Sequence, residues 1–396
     1  MIGGNLIGRG SFGCVFKPEL SCNGSKKEGS EKNVSKIFFG KDSLKEAKEE
    51  LVVDSMIQKI PNYDDWCHIW THTCKPQKYL KILKNDKSVK ECIRKARIKE
   101  KDFDKNSYML QGTYAGVVLH QSLKREFKAE VYKNKNKFKK EFLKVMVRMK
   151  PLFLGLREMY KHKICHLDIS KNNITFDGEG YKFIDFGMSC KFSQKKKFMN
   201  RSKAEFAWDR VYPPYPYEFF YLHAPHDLLK EERDDKKHHI YRTGHDAYDL
   251  IHDVAFRRKH THGYLVHLCE KFMNDKKIKS SKEGTQIISL IDTYSLGYLF
   301  PKTIMELAPY TKDSELKKKM HDLFEIPEVH QFMHLFKQMT QPDAIHRITP
   351  DKAYDKYIEL ESLYLQDLKK DKKSKKKGKK RTKRRTKRKT KNKGGS

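Results

Sequence analysis

The chain has 396 residues, enough for one large two-lobed domain or two ordinary ones with a sizeable core. Its 37% apolar and 12% aromatic content is lean for a compact protein but far from disordered composition. The formal charge of +34 is uneven, because residues 369–396 carry 18 basic side chains against one acid, half of the excess.

Apolar runs such as Tyr114–Leu119 and Ser295–Phe300 fall short of the roughly eighteen residues a membrane span needs, so no transmembrane segment is expected. Eight cysteines, at positions 14, 22, 67, 74, 92, 165, 190 and 269, follow no framework spacing, and no apolar leader opens "MIGGNLIGRG". Together these features predict a reducing, intracellular setting.

From Asn5 to about Phe39 the text reads as short strands and turns: "NLIGRGSFGCVFKPEL", a Ser/Lys/Gly-rich loop, then "NVSKIFF". The next stretch, "SLKEAKEELVVDSMIQKI", places Leu44, Ala47, Leu51, Ile57 and Ile60 near helical spacing, with Asp42 or Ser43 as cap and Pro61 beyond the end. "SYMLQGTYAGVVL" reads as a buried strand running into a Gly-containing connection. Phe138 to Tyr160 has the periodicity of one long helix despite Pro151 within it.

In "ICHLDISKNNITFDGEGYKFIDFG", the pieces "NNITF" and "YKFIDF" alternate like two strands joined at "DGEG". His166, Asp168 and Asn173 then lie on the loop before that hairpin, and Asp185 at its exit. Residues 219 to about 285 are charged and His-rich. "IISLIDTYSLGYLFPKTIMELA" and "EVHQFMHLFKQMT" read as helices.

Gly8, Gly10 and Gly13 form a glycine-rich loop, useful because absent side chains let backbone N–H groups approach phosphate oxygens. A helix does not follow; β-type residues and Pro18 do, which favours a strand–loop–strand clamp over a dinucleotide-binding turn. Lys36 sits within an apolar strand, where its ammonium needs an anionic partner or a phosphate. Of the helix acids Glu46, Glu49 and Glu50, the last is preferred, because Leu51, Val53 and Ile57 can hold it against the sheet.

The glycine loop, Lys36, the "HxDxxxxN" spacing of His166, Asp168 and Asn173, and Asp185-Phe186-Gly187 occur in the order of the eukaryotic protein kinases, which the chain resembles. "DTYSLGYL" from Asp292 resembles the family's D-x-x-S-x-G-x-x-L helix, and "PDAIHRIT" to Thr349 its late Arg element, whose Arg347 would pair with a Glu such as Glu218 of Pro216-Tyr217-Glu218. The resemblance implies an α+β bilobal fold: a small antiparallel-sheet N-lobe with one main helix over 1–111, a larger helical C-lobe over 112–366 with an insertion at about 219–285, and a basic tail over 367–396.

It implies ATP and Mg2+ or Mn2+ as cofactors. The nucleotide site would comprise Ile7, Gly8, Gly10, Gly13, Val15, Lys36, and Leu110, Gln111 and Thr113, whose strand backbone would meet adenine. Glu50 would orient Lys36, Asn173 and Asp185 would ligate the metal, Asp168 would align a protein hydroxyl, and Asp292 would brace the catalytic loop. Serine or threonine is the expected acceptor, since "DISKNN" lacks the Ala-Ala-Arg pattern of the tyrosine branch. The insertion, the "YPPYPYE" variant and the tail look most like the divergent kinases of large nucleocytoplasmic DNA viruses, which implies the cytoplasm or nucleus of a host cell, or the virion.

Two positions depart from the family. Leu167 replaces the Arg that receives a phosphorylated activation-loop residue, and Ser170 stands where a Lys usually reaches the γ-phosphate, with Lys171 next to it as the candidate substitute. Two zinc-capable clusters, Cys67-His68 through His72 and Cys74, and His260, His262, His267 with Cys269, match no common site and read as packed turns and surface histidines. The dense basic tail points to phosphate-led, sequence-blind contact with nucleic acid or another polyanion. The rival reading is a pseudokinase scaffold or polyanion-binding protein, disfavoured because Lys36, Asp168, Asn173 and Asp185 are all present.

Overall fold

A computed structural model describes residues 5–10, 13–25, 29–39, 42–78, 82, 87–95, 99–194, 215–216, 287–310 and 312–365. The insertion expected at 219–285, with its His/Cys cluster, and the tail at 367–396 lie outside the described residues, as do Glu218 and the loop tip at Ser11 and Phe12.

The chain is mixed α+β. Strands β1 (Asn5–Gly10), β2 (Gly13–Lys17), β3 (Asn33–Phe39), β4 (Trp70–Cys74) and β5 (Ser107–Thr113) form an antiparallel sheet in the order β1-β2-β3-β5-β4. Alternation along β3 and β5 splits their side chains between two faces. Phe38 and Leu110 pack on Ala47 of helix α1 (Ser43–Ile57), whereas Ile37 and Met109 join Cys14, Phe16, Val89, Ile93 and Phe103 on the other side. Helices α2 (Lys87–Lys95) and α3 (Glu100–Asn106) supply the last three. At the β1–β2 turn, a Cβ on Gly13 would meet the Ile37 carbonyl oxygen at 1.9 Å, so β2 reaches β3 only because this position is glycine.

The α1 prediction needs two corrections. Neither Asp42 nor Ser43 caps the helix through its side chain; Ser43 Oγ instead donates to the Asn106 carbonyl at 2.6 Å. The buried face carries Glu50 and Asp54 beside Ala47, Val53 and Ile57, whereas Leu51 is half-buried.

Beyond β5 come β6 (Val117–Val118) and helices α4 (Leu119–Glu126), α5 (Ala129–Tyr132), α6 (Lys135–Arg148) and α7 (Lys150–Lys161). The single helix expected across Pro151 is two helices. Pro151 stands in the first turn of α7, where its missing N–H has no intrahelical partner to lose, and α6 has ended before it. Strands β7 (Ile164–Cys165), β8 (Ile174–Phe176), β9 (Tyr181–Phe183) and β10 (Cys190–Lys191) follow. The hairpin read from "NNITF" and "YKFIDF" is present, with Ile174 opposite Phe183, and Asp177 Oδ1 accepts the Glu179 and Gly180 N–H groups at the turn.

Helices α8 (Ile291–Glu306), α9 (Asp313–Phe324), α10 (Pro327–Met339) and α11 (350–365) close the fold. Their core gathers Phe138, Phe142, Phe153, Leu296, Phe332 and Tyr357, the Phe153 and Tyr357 rings stacking 4.3 Å apart.

Four cysteines are paired, against the expected reduced set: Cys14–Cys92 joins β2 to α2, and Cys22–Cys74 joins the segment after β2 to β4. Sequence spacing shows no sign of either, because the partners are 78 and 52 residues apart and meet only through the tertiary fold. No helix among the described residues is long and apolar enough to cross a membrane.

Candidate active site

The site lies where the α1 face of the sheet meets the β7–β9 segment. Lys36 Nζ, from the middle of β3, donates to Glu50 Oε1 at 3.0 Å, to Glu50 Oε2 at 2.9 Å and to Asp185 Oδ1 at 3.1 Å. Burial would depress the Lys36 ammonium, but the two carboxylates outweigh it and raise its pKa above the ordinary lysine value. Burial pushes the Glu50 carboxyl up to about 7 against the pull of Lys36. Trp70 Nε1 also donates to Glu50 Oε1 at 2.6 Å, and an oxygen pair accepting three N–H contacts is acting as a carboxylate.

One turn along α1, Asp54 Oδ2 accepts the Trp70 backbone N–H at 2.9 Å, while its buried Oδ1 has no hydrogen-bond partner among the described residues. Burial, and then the charge on Glu50, raise the Asp54 carboxyl to about 8, so it is protonated at neutral pH. Neither Trp70 nor Asp54 was foreseen as part of the site.

The catalytic-loop candidates converge as their spacing implied. Asn173 Nδ2 donates to Asp168 Oδ2 at 2.7 Å and to the Asp168 carbonyl at 3.0 Å, which turns the amide oxygen to the other side. Asp292, at the start of α8, accepts the His166 and Leu167 N–H groups at 2.5 and 3.0 Å, and burial raises its carboxyl to about 6. His166 is fully buried; its Nε2 lies 3.1 Å from the Ile184 carbonyl and its Nδ1 accepts the Asp168 N–H at 3.3 Å. Burial lowers its pKa to about 4, so this imidazole is a neutral brace between the two loops.

Asp185 has φ 62°, a left-handed conformation that costs energy in a non-glycine residue and swings its carboxylate toward Lys36. Burial would raise this carboxyl, but Lys36 holds it below its ordinary value. The side chain is 39% exposed against 8% for that of Lys36, so the acid, not the ammonium, faces the open side. Phe186 then turns inward between the rings of His166, 4.7 Å away, and Trp66, 6.4 Å away.

Leu167 also has a positive φ, 59°, and is buried; its carbonyl accepts the Tyr215 hydroxyl, which joins Tyr215 directly to the loop. Lys171 points elsewhere: its Nζ lies 3.3 Å from Glu306 Oε2 at the end of α8. The expected substitute for the missing lysine is therefore held by an acid outside the Asp168–Asn173 cluster. Arg347, expected to meet Glu218, donates to the Leu290, Gln341 and Pro342 carbonyls and lies over the Tyr294 ring.

On the sheet side, Gly8 pairs with Val15 and Gly10 with Gly13, and Ile7 is 48% exposed. The strand expected to offer adenine its backbone is largely interior. Leu110 and Gln111 are flanked by β3 and β4 together, and only Thr113 lies beyond the β4 pairing. The Gln111 side chain also turns away, donating Nε2 to the Leu20 carbonyl at 2.8 Å. The division expected between residues 111 and 112 thus falls inside β5.

Comparison with protein-family models and with curated proteins found no match.

Proposed function

We propose that the chain is an ATP-dependent protein kinase of the eukaryotic type, transferring the γ-phosphate of ATP to protein serine or threonine hydroxyls. In this reading the five-stranded sheet with α1 is the N-lobe, and the helices from α4 onward with the β7–β9 segment are the C-lobe. The observation that carries it is the simultaneous bonding of Lys36 to Glu50 and Asp185. That arrangement presents a fixed cation beside an exposed carboxylate, and phosphoryl transfer asks a protein for just this: neutralised charge and alignment.

The donor set fits Mg2+ or Mn2+, because the Asp185 carboxylate and the Asn173 amide oxygen are hard ligands and no thiolate lies among them. Bound there, the cation would neutralise phosphate charge. Lys36 would exchange part of its contact with Asp185 for a phosphate while Glu50 keeps it in place. Asp168, positioned by Asn173 and by the His166–Asp292 brace, would accept and orient the acceptor hydroxyl. With Leu167 and Tyr215 joined directly, the loop needs no phosphate-binding arginine at this point.

ATP labelled on its γ-phosphate tests the proposal. Label should reach serine or threonine of the chain itself or of an added protein, and chelation of the divalent cation should stop it. Absence of label on any hydroxyl with either cation overturns it.

A further inference from the structure

The cluster read from sequence as Cys67-His68 through His72 and Cys74 is divided by the fold. Cys67 pairs across to Phe183, and the His68 N–H donates to the Phe183 carbonyl. His72 and Cys74 go the other way. Two apart on β4, they project from one face of the strand, and Cys22 meets them there. The Cys22 segment is fixed on this strand's continuation by a bridge to Pro76 and by the Asn23 N–H to Lys75 and Gln77 N–H to Ser21 hydrogen bonds, at 2.8 and 3.1 Å. Ligand-capable atoms of Cys22, His72 and Cys74 all lie within 4.8 Å of one another.

We infer that Cys22, His72 and Cys74 form a Zn2+ site that is available when the Cys22–Cys74 disulfide is reduced. Two sulfurs and an imidazole nitrogen are the ligand set that selects this cation over the hard ions suited to the nucleotide site. A tetrahedral site needs Zn–S near about 2.3 Å and Zn–N near about 2.0 Å, which places ligand atoms roughly 3.5–3.8 Å apart. The sulfurs must part from their bonded position to reach this, and the 5.8 Å between the two Cα atoms lets side-chain rotation supply it. His72 is exposed, so water takes the fourth position. Gln111 Oε1, fixed 3.4 Å from Cys22 Sγ by the bond from Nε2 to the Leu20 carbonyl, would accept the S–H of the reduced Cys22 thiol before the metal displaces its proton.

The exchange balances. Two equivalents of a thiol reductant give their electrons and protons to the disulfide, becoming a disulfide themselves and leaving two protein thiols; Zn2+ then binds two thiolates and releases both protons. Bound metal blocks re-formation of the disulfide, so the site has two exclusive states on the strand whose Trp70 holds Glu50.

Co2+ reports such a site directly. Full-length protein reduced with a phosphine should take up one Co2+ with an intense thiolate-to-cobalt absorption and tetrahedral visible bands, displaced by Zn2+. Metal bound by oxygen ligands at Asn173 and Asp185 gives neither feature, so failure of the nucleotide reading would not mimic failure here. The bands should vanish in Cys22→Ser and Cys74→Ser, persist in Cys67→Ser and Cys92→Ser, and need at least about tenfold more metal in His72→Ala, a surface change that leaves the core intact. In reduced wild type, Zn2+ should protect Cys22 and Cys74, and no other pair, from alkylation. Absence of the bands after reduction, or their survival in Cys22→Ser or Cys74→Ser, overturns the site and leaves a plain disulfide.

Discussion

Lys36 Nζ lies 3.1 Å from Asp185 Oδ1, a contact between residues 149 apart that closes the sheet onto the β7–β9 segment. Glu50 holds the same ammonium from α1, and Trp70 of β4 holds Glu50, so four elements converge on one cation. Its position is over-determined, which suits the role proposed for it, meeting a phosphate without reorganising.

Glu50→Gln keeps the shape of that partner and removes its charge. Phosphate transfer, measured as kcat/KM for ATP, should fall on the order of 100-fold while the folded state is retained by circular dichroism. Transfer at the wild-type rate would show that the Lys36–Glu50 pair is structural.

Asp54 makes stability pH-dependent. The folded protein holds its proton up to about pH 8, whereas a solvated aspartate releases it near 3.8, so the folded state binds more protons between these values and stability falls as pH rises. Asp54→Asn keeps an oxygen for the Trp70 N–H and cannot ionise. Its melting temperature should therefore drop less than that of wild type between about pH 5 and about pH 8. Parallel curves for the two proteins would contradict the buried, protonated acid.

Lys171 is paired with Glu306 at the surface, the two side chains being 42% and 35% exposed. Such pairs contribute about 0–1 kcal/mol, and Lys171→Ala should change both melting temperature and transfer rate little, within roughly twofold for the rate. A loss beyond about tenfold would restore the idea that this lysine stands in for the one missing at Ser170.

The basic tail carries its own test. Removal of residues 369–396 should flatten the dependence of log Kd on log salt for duplex DNA or RNA, because each released counterion contributes to that slope. An unchanged slope would assign polyanion binding to the rest of the chain.

What was legible in the sequence is what is local or periodic. His166, Asp168, Asn173 and Asp185 fall within one short stretch whose alternation fixes the hairpin, and the helical phase of α1 singled out Glu50. Asp54 stayed hidden because an acid one turn from another reads as solvated surface, and its partner, the Trp70 backbone N–H, comes from a strand that the helical pattern does not reveal. Pro151 was absorbed into an apolar period that runs through both α6 and α7, although it marks their junction. The disulfides and the meeting of Cys22 with His72 and Cys74 are contacts between elements distant in sequence, and no spacing rule encodes them.

The most direct test of the kinase reading compares wild type with Asp168→Ala in transfer of the labelled γ-phosphate, with Mg2+ present and folding verified for both. The reading predicts incorporation by wild type and a loss of about 100-fold or more in the variant, because the residue that orients the hydroxyl is gone. Equal incorporation by the two proteins would contradict it.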